Sequence, residues 1–168
     1  MTIKYRDLTL FSNASFLATK ANWEAIAGSD AFNLEYGPMF DWIDERVGKT
    51  HLDVMAYGIF EAGSPHASGI VEIINSSKAK GPMIKMLKVI ISPQFWDISV
   101  HREEILKIFL GAIAGCIILS KTKRSKVLKL YGRSNELFSI LVSLHTSFVE
   151  EPIDGLTAKI EGRWLVLE

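Results

Sequence analysis

Met86-Leu87-Lys88-Val89-Ile90-Ile91-Ser92-Pro93, then Gln94-Phe95-Trp96-Asp97-Ile98-Ser99 and a long apolar run from about His101 to Leu119, is the stretch that decides the fold. Met86 to Ile91 carries one charge in six residues and reads as a buried strand. Pro93 lacks a backbone donor and has a fixed φ, so the strand stops there. The run from His101 to Leu119 reads as a helix, with Glu103 and Glu104 in its first turn. Lys121, Lys123 and Arg124 lie just past its end, the charge order that a helix dipole favours. Between Ile105 and Leu119 only Lys107 is charged, so the helix is expected to lie buried between layers. The rest of the chain is expected to pack around this strand, turn and helix.

Working outward, the 168 residues suit one domain, residues 1–168, with a sizeable core. Nineteen basic and nineteen acidic residues cancel, so no global field draws nucleic acid or an anionic membrane. The one basic cluster, Lys121 to Lys129, reads as a solvated loop at a helix end. Cys116 is the only cysteine, sits mid-helix and reads as a small buried side chain. Nothing therefore points to an oxidising compartment. The uninterrupted apolar stretch, Ile108 to Leu119, is shorter than the roughly 20 residues of a membrane span, so a cytoplasmic protein is the expectation.

Upstream, Thr2 to Tyr5 reads as an edge strand and Ser15 to Ala27 as a helix capped by Ser12 or Asn13 and stopped at Gly28-Ser29-Asp30. Met39 to Val47 reads as a second helix. Leu52 to Phe60 and Ala67 to Ile74 read as a hairpin leading to the strand at Met86. Downstream, Lys126 to Tyr131 is a strand reached through the apolar helix, which implies a parallel pair with a right-handed crossover. Asn135 to Leu144 is an amphipathic helix with Ser134 or Asn135 as cap; Phe148-Val149 and Gly162 to Leu167 read as the last two strands. The class is α+β: a mixed, mostly antiparallel central sheet with helices on both faces.

That order, in a chain of this length, resembles the GNAT (GCN5-related N-acetyltransferase) fold. Ile91-Ser92-Pro93-Gln94-Phe95 is similar to the family's V-x-P-x-[YFW] segment at the end of its fourth strand. Asn135 and Phe148 match the family's N…G-F segment, with Ser147 where glycine is usual. The resemblance implies acetyl transfer from acetyl-CoA to an amine. Splayed central strands would meet the pantetheine arm, and N–H groups at a helix start would hold the pyrophosphate. The family's pyrophosphate loop reads [QR]-x-x-G-x-[GA]. Here Trp96-Asp97-Ile98-Ser99-Val100-His101 stands in its place, with neither glycine and with an added carboxylate. The family's general-acid tyrosine is replaced by Ser143.

The resemblance assigns Ile91, Ser99, His101, Arg102 and Asn135 as candidate cofactor-binding residues. Ser99 also reads as a plain N-cap and Arg102 as a solvated first-turn residue. Glu72 interrupts the apolar strand Gly69-Ile70-Val71-Glu72-Ile73 and is the candidate general base, or simply that strand's polar position. The histidines have no metal-ligand spacing, and no serine or cysteine sits in a nucleophile motif. Two functions follow. The first is an acyl-CoA-dependent N-acyltransferase acting on an amine. The second is a binding, inhibitory or structural protein that keeps the fold without catalysis, as degenerate chains resembling accessory proteins of short-tailed phages do. Oligomeric state and protein partner are not legible.

Overall fold

The computed structural model describes residues 6–49, 52–76 and 81–168. Seven strands form one sheet in the order β1-β2-β3-β4-β5-β7-β6, where β1 is Asp7–Leu10, β2 Val54–Phe60, β3 Gly69–Ser76, β4 Met83–Ile91, β5 Val127–Tyr131, β6 Ala158–Glu161 and β7 Trp164–Leu167. Every neighbouring pair is antiparallel except β4 and β5, which run parallel. The connection between those two is the helix α4, Ile98–Thr122, as a parallel pair requires. Helices α1 (Asn13–Ala27), α2 (Ser29–Glu35) and α3 (Gly37–Asp44) link β1 to β2, and α5 (Asn135–Glu150) links β5 to β6.

Strand alternation sends side chains to two separate cores. On β3, Ile70 joins an aromatic cluster with Phe16, Trp23, Phe32 and Phe40 under α1, α2 and α3. Its neighbours Val71 and Ile73 join an aliphatic cluster with Ile108, Ala112, Leu137 and Leu141 under α4 and α5. Helix α1 is fixed to the β2–β3 connection through both polar groups of Ala67: its N–H donates to Thr19 Oγ1 at 2.9 Å, and its carbonyl accepts from Trp23 Nε1 at 2.9 Å. On the other face β1 lies close against α4. A Cβ at Gly115 would stand 2.3 Å from Leu8 Cβ, and one at Gly111 would stand 2.9 Å from the Arg6 carbonyl, so larger residues would push this strand away. The buried Arg6 side chain donates to Ser68 Oγ and Glu104 Oε2, tying the strand edge to the helix.

The mixed sheet, its parallel pair and helices on both faces are as expected from the sequence; several boundaries are not. The expected strand Thr2 to Tyr5 lies outside the described residues, and the first described strand is Asp7–Leu10. Gly28, with φ 85°, ends α1 as expected, but Ser29 and Asp30 already belong to the next helix, α2. Phe148 and Val149 are not a strand. Helix α5 continues through them to Glu150, because no proline or glycine intervenes before Pro152. The strand expected there is β6. Helix α4 starts at Ile98 rather than His101, with one non-helical residue, His101 (φ −108°, ψ 18°). Its cap is Asp97, not Ser99. Nor is α4 buried all round: it rests one face on the sheet and exposes Leu106, Leu110, Ala114 and Ile118 on the other. By length and composition it passes as a membrane span, yet its inward face belongs to the core of a sheet.

Candidate functional site

The site begins with a defect in β4. Lys88 pairs with Glu72 and Met86 with Ile73, so Leu87 is passed over and forms a bulge. On the opposite edge, pairing with β5 ends at Met86–Leu130. From Leu87 to Ile91, β4 therefore has no ladder partner on the β5 side among the described residues, because β5 itself ends one residue later at Tyr131. Ser92 ends the strand by accepting from Gln94 N, and Pro93–Phe95 forms a short 3₁₀ turn that carries the chain over the gap. Below the turn lies a cleft of about 250 Å³. Its walls are Val89, Ile91, Phe95, Ile98, Ile105 and Phe109, its rim Trp96, Ser134 and Glu136. An apolar slot flanked by unpaired strand edge suits a flexible arm carrying amides along an aliphatic chain: the walls bury the methylenes, and β4 offers backbone hydrogen bonds.

The turn is held from the other core. Tyr36 stacks on Trp96 with centroids 6.0 Å apart; its hydroxyl accepts from Trp96 Nε1 at 2.6 Å and donates to the Ile91 carbonyl at 3.3 Å. Burial raises the Tyr36 pKa, so the phenol stays protonated and keeps donating. Trp96 remains half exposed. Phe95 is buried, with the His101 ring edge-on at 5.4 Å and the Arg6 guanidinium 5.8 Å from its centroid.

The helix start above the cleft is chemically occupied. An α-helix leaves its first four N–H groups without intrahelical partners, and these are what a phosphate would use. Here Ile98 N donates to the Trp96 carbonyl at 3.1 Å, and Ser99 N to Asp97 Oδ1 at 3.2 Å. Val100 N and His101 N both reach the Asp97 carbonyl, at 3.2 and 3.1 Å. The Ser99 hydroxyl donates to Asp97 Oδ1 at 2.6 Å, which lowers the Asp97 pKa and keeps the carboxylate charged. The bond from His101 N is the ordinary helical one; of the donors before it, those of Ile98, Ser99 and Val100 are engaged, and a fixed negative charge stands beside them, where the resemblance would place a pyrophosphate. The apolar slot suits an arm of that kind, and the helix start as it is arranged does not suit a phosphate.

Of the residues singled out in sequence, Ile91 lines the cleft. Ser99 is engaged with Asp97, His101 packs against Phe95, and Arg102 is exposed with no ion-pair partner among the described residues. Asn135 is turned away: its Oδ1 accepts from Arg163 Nη2 at 3.3 Å, while the cap of α5 is Ser134. Glu72 is not in the cleft. It shares the α1–α3 face with Ile70, half-buried, with Lys88 Nζ 3.6 Å from its carboxylate. The sheet lies between it and the cleft, and the gap beside Leu87 is where β4 and β5 leave the sheet open. Sequence reading missed Tyr36, Ser134 and Glu136. A first-turn acid beside Asn135 was a signal for Glu136, but nothing in the order of residues brings Tyr36 to the end of β4.

No family model and no curated protein matches the chain. Among solved structures, it is similar to a probable acetyltransferase from Staphylococcus epidermidis (12% identity, 96% of this chain and 97% of the other, TM-score 0.48). An acetyltransferase of the GNAT family from Staphylococcus aureus (10%, 96% and 97%, TM-score 0.41) and an acetyltransferase from Thermus thermophilus (14%, 99% and 98%, TM-score 0.43) are similar over the same length. At these identities and TM-scores the likenesses carry no argument about chemistry. The strand order, the single parallel pair and the bulged β4, unpaired on one side past Met86, make the fold GNAT-like.

Proposed function

We propose that the chain is an N-acyltransferase of GNAT type that grips acetyl-CoA chiefly through its acyl-pantetheine arm. The observation that carries this reading is the half of β4 past Leu87, unpaired on the β5 side and forming one wall of an apolar cleft. Val89, Ile91, Phe95 and Phe109 would hold the arm with its thioester toward the unpaired part of β4, and an amine would approach from the face that carries Glu72. Glu72 takes the proton from the attacking nitrogen. The new C–N bond forms as the C–S bond breaks, and the thiol leaves with its electron pair and is protonated from solvent. Lys88, with its Nζ 3.6 Å from the Glu72 carboxylate, holds that side chain in position on its strand. With Ser99 engaged by Asp97, His101 packed on Phe95 and Asn135 turned to Arg163, exposed Arg102 is the side chain left at the helix start to meet a phosphate.

The occupied N–H groups at Ile98, Ser99 and Val100 favour a second reading, a binding or structural protein of the same fold without turnover. The test is release of free thiol from acetyl-CoA in the presence of a panel of primary amines, with Glu72→Gln beside the parent. The acyltransferase reading expects acetylated amine by mass spectrometry and a fall in kcat by on the order of 10²–10⁴ in Glu72→Gln. Thiol release that Glu72→Gln leaves unchanged removes Glu72 from the mechanism; no acetylated amine from any panel member supports the second reading.

A further inference from the structure

The outward face of α4 has an order that is its own mirror image. Leu106, Leu110, Ala114 and Ile118 follow at four-residue spacing along the helix, all exposed, with Ile118 66% exposed. Glu103 and Lys121 stand at the two ends of this stripe. They are about five whole turns apart, so both fall on the stripe's midline. Both lie within the regular part of α4, beyond the distortion at His101. Laid against itself antiparallel, with a two-fold axis at the level of residue 112, the helix sets Leu106 opposite Ile118, Leu110 opposite Ala114, and Glu103 opposite Lys121. Apolar meets apolar along the stripe and Glu103 meets Lys121, while Lys107, on the stripe's flank and 3.6 Å from Glu103 of its own chain, falls opposite Ile117; the stripe and its end charges have the self-complementarity that an isologous contact requires.

We infer that this face binds a second copy of the chain, as an antiparallel α4–α4 dimer with a shallow crossing of about 20°. A shallow crossing is needed to keep the two Glu103–Lys121 pairs within side-chain reach at the ends. Ala114, the small residue opposite Leu110, lets the helices approach near the axis. Stable dimers bury about 1,200–2,000 Å² in total, more than one helix pair supplies. The stripe continues into an open groove of about 700 Å³ between α4 and β1, floored by Leu8 and Tyr57 with Leu119 beside Ile118, which extends the apolar contact. The cleft residues Ile105 and Phe109 are on the buried side of α4, so the dimer leaves the cleft open.

Sedimentation velocity across protein concentrations up to about 100 μM tests this, since contacts of this size span micromolar and tighter affinities. The parent is expected as a dimer. Leu110→Arg, exposed and therefore harmless to the fold, is expected as a monomer with an unchanged circular dichroism spectrum. Glu103→Lys weakens dimerisation about twofold to tenfold, two exposed ion pairs being lost, and Glu103→Lys with Lys121→Glu restores it. A parent that stays monomeric throughout overturns the inference, and so does a monomer that binds anionic vesicles through this face. A dimer unaffected by Leu110→Arg, or not rescued by the double reversal, also overturns it.

Discussion

The outer half of β4 and the first turn of α4 are joined by one short turn, yet they present opposite chemistry. The strand leaves its backbone open and its walls apolar, as a thioester arm would need. The helix start has closed on itself, its N–H groups taken by Trp96 and Asp97. What the difference teaches is that the fold and the anion site are separable. The cleft follows from a bulge in β4 and the early end of β5, both set by the sheet, whereas the arrangement of the helix start depends on a few loop residues.

The largest effect expected is on the framework that both regions share. Ile113, on the buried face of α4, has no polar partner nearby in its aliphatic cluster. Ile113→Asp should leave the protein unfolded or insoluble, the outcome of an unpaired carboxylate in a core. A variant that melts with the parent would mean that α4 does not anchor the fold. Cys116 tests the same helix without a mutation. Burial pushes its thiol up to about 12. At a pH near 8 the native thiol should react with a thiol reagent on the order of 10³ more slowly than in denaturant. The raised value also means that the unfolded state alone loses this proton above its ordinary range. The contribution to stability is therefore complete below about pH 8.5 and declines as pH rises toward 12. Rapid labelling of the native protein would place Cys116 in solvent.

The next effect separates the cleft from the helix start. Val89→Trp fills the slot from its strand wall and should cut acetyl-CoA affinity at least about tenfold, because the arm loses its apolar contacts. The melting temperature should fall only modestly, since Val89 is half-buried, packed on the aliphatic core on one side and open to the cleft on the other. Unchanged affinity would put the arm elsewhere.

Much of this contrast was legible in the sequence. The apolar strand ending at Ser92-Pro93, the helix after it and the strand at Lys126 specify the parallel pair, and the missing glycines announced a changed anion site. The closing of that site was harder to see. Whether Ser99 or Asp97 caps the helix turns on a start that Ile98 and Val100, both exposed, do not mark by burial. Solvent on one side of α4 was also hidden, because Leu106, Leu110 and Ile118 have the same hydropathy as the buried residues beside them. Tyr36 reaches the end of β4 only through packing of three helices, and the alternation that sends Glu72 away from the cleft needs the strand pairing to be known.

The smallest effect is the most direct test. Asp97→Gly frees Ser99 N, removes the carboxylate and costs the helix only a few tenths of a kcal/mol in capping. Calorimetric titration of acetyl-CoA into the parent and into Asp97→Gly compares a closed helix start with an opened one. The account predicts saturable binding by both, tighter in Asp97→Gly by about threefold to tenfold, the worth of a helix-terminus interaction with an anion. Heat from neither protein at millimolar acetyl-CoA would contradict it.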